Sequence, residues 1–248
     1  MDSALAKSTP LEFTPDQLPV HIGVIMDGNG RWAQARGKHR TEGHRAGVEA
    51  LRRLITCAVE FDIKYLTIFS FSSENWQRPA DEVNTILGLM KKFVASDVGT
   101  FVQNNVRVRI LGSRVGLNNS VLKMIDDAEQ RTQHCTGLQL NVAFNYGARS
   151  EMLDAAKSIA AKVASGEIQL DDIDENLFSQ SLYTTGLPDP DVIFRTSGEQ
   201  RLSNFLLWQA AYSEFVFSEE YWPDFDRASF LRLLDAYTGR KRRFGCVG

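Results

Sequence analysis

With 248 residues, the chain can bury one large core and falls within the span of a single α/β domain. Its hydrophobic fraction of 43%, charged fraction of 24% and net charge of −3 exclude a disordered chain and give no overall bias toward nucleic acid, so any anion binding must be local. Three widely spaced cysteines, Cys57, Cys135 and Cys246, form neither a disulfide framework nor a zinc pattern, and no apolar leader or run of ~18 apolar residues is present, which predicts a cytoplasmic protein, neither secreted nor membrane-spanning.

In chain order, residues 1–18 are expected to be loose and residues 19–248 to form one domain. The apolar run over 21–27 predicts a strand that enters the turn Gly28-Asn29-Gly30-Arg31-Trp32-Ala33. Ala46, Ala50, Leu51, Leu54, Ile55, Ala58 and Val59 recur at helical spacing, and a strand follows over 64–71 with the polar tail Ser72-Ser73-Glu74-Asn75-Trp76. A helix over 83–102 precedes strands at 106–111 and 138–144, a helix over 152–163, and strands at 191–195 and 214–217. This alternation predicts a mostly parallel central sheet of about six strands flanked by helices. In such a sheet ligands sit at the carboxyl ends of the strands. That rule gathers Asp27, the segment 72–78, Asn145-Tyr146, the turn 195–198 and Glu214 around one cleft.

The first glycine turn fits the dinucleotide pattern G-x-G-x-x-G/A. A carboxylate at Asp27, just before the turn, would repel a pyrophosphate unless a divalent cation lay between them, and nicotinamide cofactors bring none. The strand over 65–71 also lacks the ribose-binding acid about 20 residues on. No Gly-Lys-Ser/Thr follows, which excludes a Walker A loop. An acid beside phosphate-ready backbone amides fits a metal ion and a phosphate ester sharing one site. Arg195, Arg201 and Ser203 offer two guanidinium forks and a hydroxyl to a diphosphate. Arg31, Arg40 and His44 form a second cationic set. Two such pockets imply two diphosphate substrates, although each arginine singly could be a surface ion pair.

The helix over 83–102 carries Val83, Ile86, Leu87, Met90, Val94, Val98, Phe101 and Val102 on one face, and Leu89 and Phe93 extend that face sideways. So wide a stripe can serve as core or as the wall of a hydrocarbon tunnel.

The blocks Met26-Asp27-Gly28-Asn29-Gly30-Arg31-Trp32-Ala33, Arg40, Gly43-His44, Phe69-Ser70-Phe71-Ser72-Ser73-Glu74-Asn75-Trp76 with Arg78-Pro79, the run 195–209 and Arg242-Arg243-Phe244-Gly245 resemble those of cis-prenyltransferases over roughly residues 18 to 245. The resemblance implies an α/β homodimer with a hydrophobic tunnel, which condenses isopentenyl diphosphate onto farnesyl diphosphate to give undecaprenyl diphosphate, the carrier-lipid precursor of cell-wall synthesis. It implies allylic diphosphate binding by the backbone amides of Gly28, Asn29, Gly30 and Arg31, with Arg40 and His44 helping, and isopentenyl diphosphate binding by Arg195, Arg201 and Ser203. Trp32, Ser72, Ser73, Glu74, Trp76, Arg78 and Leu202 would also be in contact with substrate. Mg2+ would be held by Asp27 and by Glu214, the latter reaching a partner subunit's site. Asn75 is assigned to the proton step; a neutral carboxamide is a feeble base, so we read it as an orienting group, with pyrophosphate oxygens as acceptor. Leu89 and Val106 would wall the tunnel and Leu138 close its floor, with contact to the inner face of a membrane for product release. Two other readings stand beside this one: a nucleotide-dependent oxidoreductase, against which Asp27 argues, and a catalytically silent subunit, which would be expected to lack Asp27 or the Arg195, Arg201 and Ser203 set.

Overall fold

The computed structural model describes residues 13–239. Its elements are, in order, β1 (His21–Ile25), α1 (Asn29–Gln34), α2 (Arg40–Glu60), β2 (Tyr65–Ser72), α3 (Ala80–Gln103), β3 (Arg107–Leu111), α4 (Asn119–Thr132), β4 (Gln139–Tyr146), α5 (Ala148–Ala164), α6 (Glu175–Gln180), β5 (Val192–Arg195), β6 (Glu214–Phe217) and α7 (Arg227–Thr238). The six strands lie in the order β3-β4-β2-β1-β5-β6, and every pairing is parallel.

All five residues of β1 are buried, as a central parallel strand covered on both faces requires. The period-two alternation sorts side chains into two cores. Ile22, Val24, Val192 and Phe194 pack with residues of α2, α3, α4 and α7. Ile25, Ile193, Phe205 and Leu206 form a smaller core that includes Ala148 of α5. Sequence and structure agree on all six strands to within two residues. Within the stretch expected to be loose, Phe13 is buried in the main core and residues 15–17 form a 3-10 turn. The run 242–245 and Cys246 lie outside the described residues.

Two local features shape the carboxyl end of the sheet. The pairing of β2 with β4 slips after Phe69, so that Phe71 pairs Phe144 and Ser72 pairs Tyr146. Such bulges re-aim side chains beside a site. In α2, Gly43 and Gly47 allow α1 to lie against the helix: a Cβ on Gly43 would fall 1.9 Å from the Asn29 carbonyl oxygen and one on Gly47 2.3 Å from Asn29 Oδ1.

Candidate active site

The chain order turns back at β1, which lies between β2 and β5, and an open parallel sheet binds its ligand at such a switch point. A cavity of about 840 Å3 opens there. Asp27, Gly28, Asn29, Gly30 and Arg31 line it after β1; Arg40 and His44 come from α2, Ser72 from the end of β2, Glu74, Asn75 and Arg78 from the segment after it, Arg195 from the end of β5, and Arg201 and Ser203 from the loop that follows. The two cationic sets therefore share one space.

Asp27 stands between them. Its Oδ2 accepts from Arg195 Nη2 at 2.8 Å and lies 3.2 Å from Arg31 Nη2, while Oδ1 accepts from the Gly28 N–H at 2.6 Å. Burial raises the carboxyl pKa, but the Arg195 hydrogen bond and charge, Arg31 and the Gly28 amide outweigh it and hold the pKa below the ordinary aspartate value. The backbone of Asp27 is fixed by Thr196, whose hydroxyl accepts from its N–H at 3.0 Å and donates to its carbonyl at 2.7 Å. Gly28 has φ +101°, and a Cβ there would meet Tyr221 at 2.8 Å and Ser197 Oγ at 2.9 Å. Glycine at this position satisfies both the backbone angle and the close approach.

Arg195 is held on both sides. Nη1 donates to Ser203 Oγ at 2.9 Å and to the Arg201 carbonyl. Glu199 joins the halves, accepting from Arg31 at 2.9 Å and from Arg201 at 2.5 Å. Beneath this loop, buried Glu151 accepts from Tyr146 OH at 2.6 Å and from Gln209 at 3.2 Å, and burial pushes its pKa up.

At the other wall Glu82, near the start of α3, gathers two guanidinium groups and an imidazole: Arg78 at 2.8 Å, and Arg40 and His44 at 3.5 Å. Burial favours its neutral form, but Arg40, Arg78 and His44 pull its pKa below the usual glutamate value. Burial also depresses His44, more than Glu82 restores it, so His44 meets an anion as a neutral imidazole near neutral pH. Sequence reasoning missed Glu82, although its spacing four residues after Arg78 is a helical ion-pair signal. It also missed Trp222, which lines the cavity and donates from its backbone N–H to the Asp27 carbonyl at 3.0 Å and from Nε1 to the Gly47 carbonyl at 2.9 Å; no local pattern marks that residue.

Several expected site residues stand aside from the cavity lining. Trp32 donates to Asp224 at 2.7 Å and carries the Arg36 guanidinium 4.4 Å above its ring. Trp76 packs edge-on against Phe71 and donates to Asn145 Oδ1 at 2.8 Å. Ser73 lies near Gly147, and Leu202 packs on the smaller core. Glu214 is placed differently from expectation. In the parallel register it pairs with Val192, while Phe217 pairs with Arg195, so it sits at the amino end of the sheet, away from Asp27. The 4-residue strand begins with Glu214, and a strand's first residue cannot reach the carboxyl rim of its own sheet.

Leu89 lines the cavity with Ile86, Met90, Phe93, Val48 and Leu51, which gives it an apolar depth between α2 and α3. The wide stripe of α3 thus serves both a cavity wall and the core, where Val98 and Phe101 are buried. Val106 and Leu138 are core residues, 0% and 4% exposed, outside the lining. A tunnel extending to Leu138 is not seen.

Residues 25–245 match the family described as "Putative undecaprenyl diphosphate synthase". The chain belongs to this prenyltransferase family. It is 52% identical to an isoprenyl transferase of Agrobacterium fabrum over 94% of this chain and 95% of that protein, and 47% identical to one of Clostridium perfringens over 97% and 95%. Among solved structures, lavandulyl diphosphate synthase from Lavandula x intermedia, in complex with dimethylallyl diphosphate, superposes with a TM-score of 0.90 at 38% identity, covering 93% of this chain and 99% of that one. A probable undecaprenyl diphosphate synthase from Campylobacter jejuni gives 0.76 at 34% identity, covering 92% and 99%. Among the described residues of this prenyltransferase no helix is long and apolar enough to cross a membrane, and no cluster of three His, Cys, Asp or Glu side chains is poised to hold a metal.

Proposed function

We propose that this prenyltransferase condenses isopentenyl diphosphate onto farnesyl diphosphate in successive cis additions to give undecaprenyl diphosphate for cell-wall synthesis. The observation that carries the reading is Asp27, one carboxylate in contact with Arg31 and Arg195, the leading members of two cationic sets that open on a single cavity with an apolar depth. The first-turn amides of α1, which lack intrahelical acceptors, with Arg40 and His44, bind the allylic diphosphate. Arg195, Arg201 and Ser203 bind isopentenyl diphosphate. Asn75, whose Oδ1 accepts from the Ser72 N–H at 3.1 Å, orients the reacting chain, and a diphosphate oxygen takes the proton that is lost.

A magnesium ion fits the donor set. Gly28, Arg195 and Arg31 occupy three of the roughly four lone-pair directions of the Asp27 carboxylate, and Mg2+ typically takes one or two carboxylates together with substrate phosphates and water. Bound there, the ion would neutralise charge on the departing diphosphate. Glu214 adds a ligand only from a second copy, because its own sheet places it at the far end. This agrees with a homodimer whose exposed surface beside β6 carries Tyr212 and Phe217.

The lavandulyl diphosphate synthase likeness supports a second reading in which the chain transfers to a short allylic diphosphate such as dimethylallyl diphosphate. Incubation with isopentenyl diphosphate, magnesium and either allylic partner, followed by chromatography and NMR of the lipid product, separates the two. Long products with new cis double bonds are expected from farnesyl diphosphate, and none after chelation. Short products alone, all-trans products or turnover that survives chelation would overturn the reading.

A further inference from the structure

The loop after β5 holds an unusual density of left-handed backbone. Ser197, Ser203, Asn204 and Leu206 have φ of 82°, 50°, 66° and 47°, a conformation costly for side chains other than glycine and, less so, asparagine. Such a conformation persists only where surrounding contacts impose it.

Asn204 shows what imposes it. Its carbonyl accepts from the Ala148 N–H at 2.9 Å and its Oδ1 from the Arg149 N–H at 2.9 Å, so one residue caps two first-turn amides of α5. Its Nδ2 donates to Glu74 Oε1 at 2.8 Å. The orientation of the amide is fixed by chemistry, because only Oδ1 can face an N–H and only Nδ2 a carboxylate. The three chain segments meet at Gly147, where a Cβ would lie 2.5 Å from Ser73 Oγ and 2.7 Å from Asn204 Nδ2. Asn204 and Glu74 themselves reach the cavity lining, as does Asn75 beside Glu74, and Ser203 beside Asn204 holds Arg195. Asn204 is therefore the link between the loop after β5 and the segment after β2, anchored on the amino end of α5.

We propose that Asn204 is a positioning residue that fixes the Ser72–Arg78 segment against the Arg195–Ser203 loop, so that two substrates bound in their own halves of the cavity are held in reacting alignment. The inference rests on the two-diphosphate reading above. Each half keeps its own anion-binding groups without Asn204, so the link acts on alignment and not on the affinity of either half. A small misplacement of reacting groups is enough to lower turnover by orders of magnitude.

Donor and acceptor can be exchanged to test this in the full-length protein. Asn204→Asp keeps a residue tolerant of left-handed φ and an acceptor for Arg149, but sets a carboxylate against Glu74. Adding Glu74→Gln gives that carboxylate an amide donor and restores the bond in reverse. Steady-state kinetics of Asn204→Asp should show kcat lowered by about 10- to 100-fold with both KM values within about threefold of wild type, and the double variant should recover most of the lost kcat relative to Glu74→Gln alone. A loss confined to KM, or an equal kcat loss with and without Gln at 74, overturns the proposal. Melting curves report folding; if Asn204→Asp does not fold, Asn204→Gly, which keeps the backbone and removes both side-chain bonds, carries the comparison, with unchanged kcat the contrary result. Failure of wild-type protein to condense the two diphosphates would refute the functional reading itself, independently of these variants.

Discussion

Arg195 carries its charge into a site where its side chain is 5% exposed, and Asp27 is the carboxylate it meets there. Asp27→Ala should therefore do two things. It removes the carboxylate proposed to hold the metal, so magnesium-dependent turnover should fall by at least about 100-fold, as is common for a lost electrostatic group. It also strips a charge-assisted hydrogen bond worth roughly 1.5–3 kcal/mol, which calorimetry should read as a melting point lowered by several degrees with the fold retained. An unfolded variant would show Asp27 to be structural, and retained turnover would remove it from the chemistry. Glu82 makes the opposite case. It neutralises Arg40 and Arg78 where an allylic diphosphate would compete for the same cations. Glu82→Gln is expected to tighten binding of inorganic pyrophosphate by about two- to fivefold at low salt, in line with roughly 0.2–1 kcal/mol for partly exposed pairs. Titration calorimetry checks it, and weaker binding would mean that Glu82 instead orients the arginines.

At the scale of elements, α3 and β4 separate wall from core. Leu89 on α3 faces the cavity, whereas Leu138, one residue before β4, is packed in the main core. Leu138→Ala should cost about 2–5 kcal/mol of stability and leave the product distribution unchanged; lengthened products with an unaltered melting temperature would restore it as a tunnel floor. Which elements form was legible from local pattern: β-branched runs gave the strands, and of the residues recurring at helical spacing Ala50, Leu51, Leu54, Ile55 and Ala58 lie on the buried face of α2, while Val59 is exposed. The cleft was legible too, since one rule about carboxyl ends of strands brings Asp27, Ser72 and Arg195 together. The same rule misplaced Glu214 in this cleft because periodicity locates a strand but not which end of it faces the site; that depends on register with Val192. Glu82, Asn204 and Trp222 escaped because their roles are set by partners distant in sequence or, for Glu82, by two guanidinium groups and an imidazole that only the fold assembles.

The whole molecule sets a charged, open rim at the carboxyl ends of its strands against a closed polar lock at their amino ends. His21 of β1 is 1% exposed; its Nδ1 lies 2.7 Å from the Pro188 carbonyl and its Nε2 2.7 Å from Thr67 Oγ1 of β2. A carbonyl can only accept, so Nδ1 carries the proton and Nε2 accepts from the threonine hydroxyl. Thr67 in turn accepts from Asn141 Nδ2 of β4 at 3.2 Å, and Asp191 Oδ2 accepts from the Val20 and His21 amides at 2.7 and 3.0 Å. The lock thus ties β1, β2, β4 and the approach to β5, and it requires a neutral imidazole. Burial depresses the His21 pKa from 6.5 to about 4, against the opposing influence of Pro188 and Asp191. Because the folded pKa lies below the unfolded one, the unfolded chain binds the extra proton between those values. Folding stability is then undiminished above about pH 6.5 and declines as pH falls toward 4, by about 3 kcal/mol if the whole shift is expressed. His21→Asn keeps a polar side chain without a titrating ring. In urea unfolding series the stability difference between wild type and His21→Asn should move in favour of the variant as pH is lowered from 7 to 4, the carboxylates common to both proteins cancelling. A difference that stays flat over that range would show that His21 is charged in the fold or that its burial costs nothing.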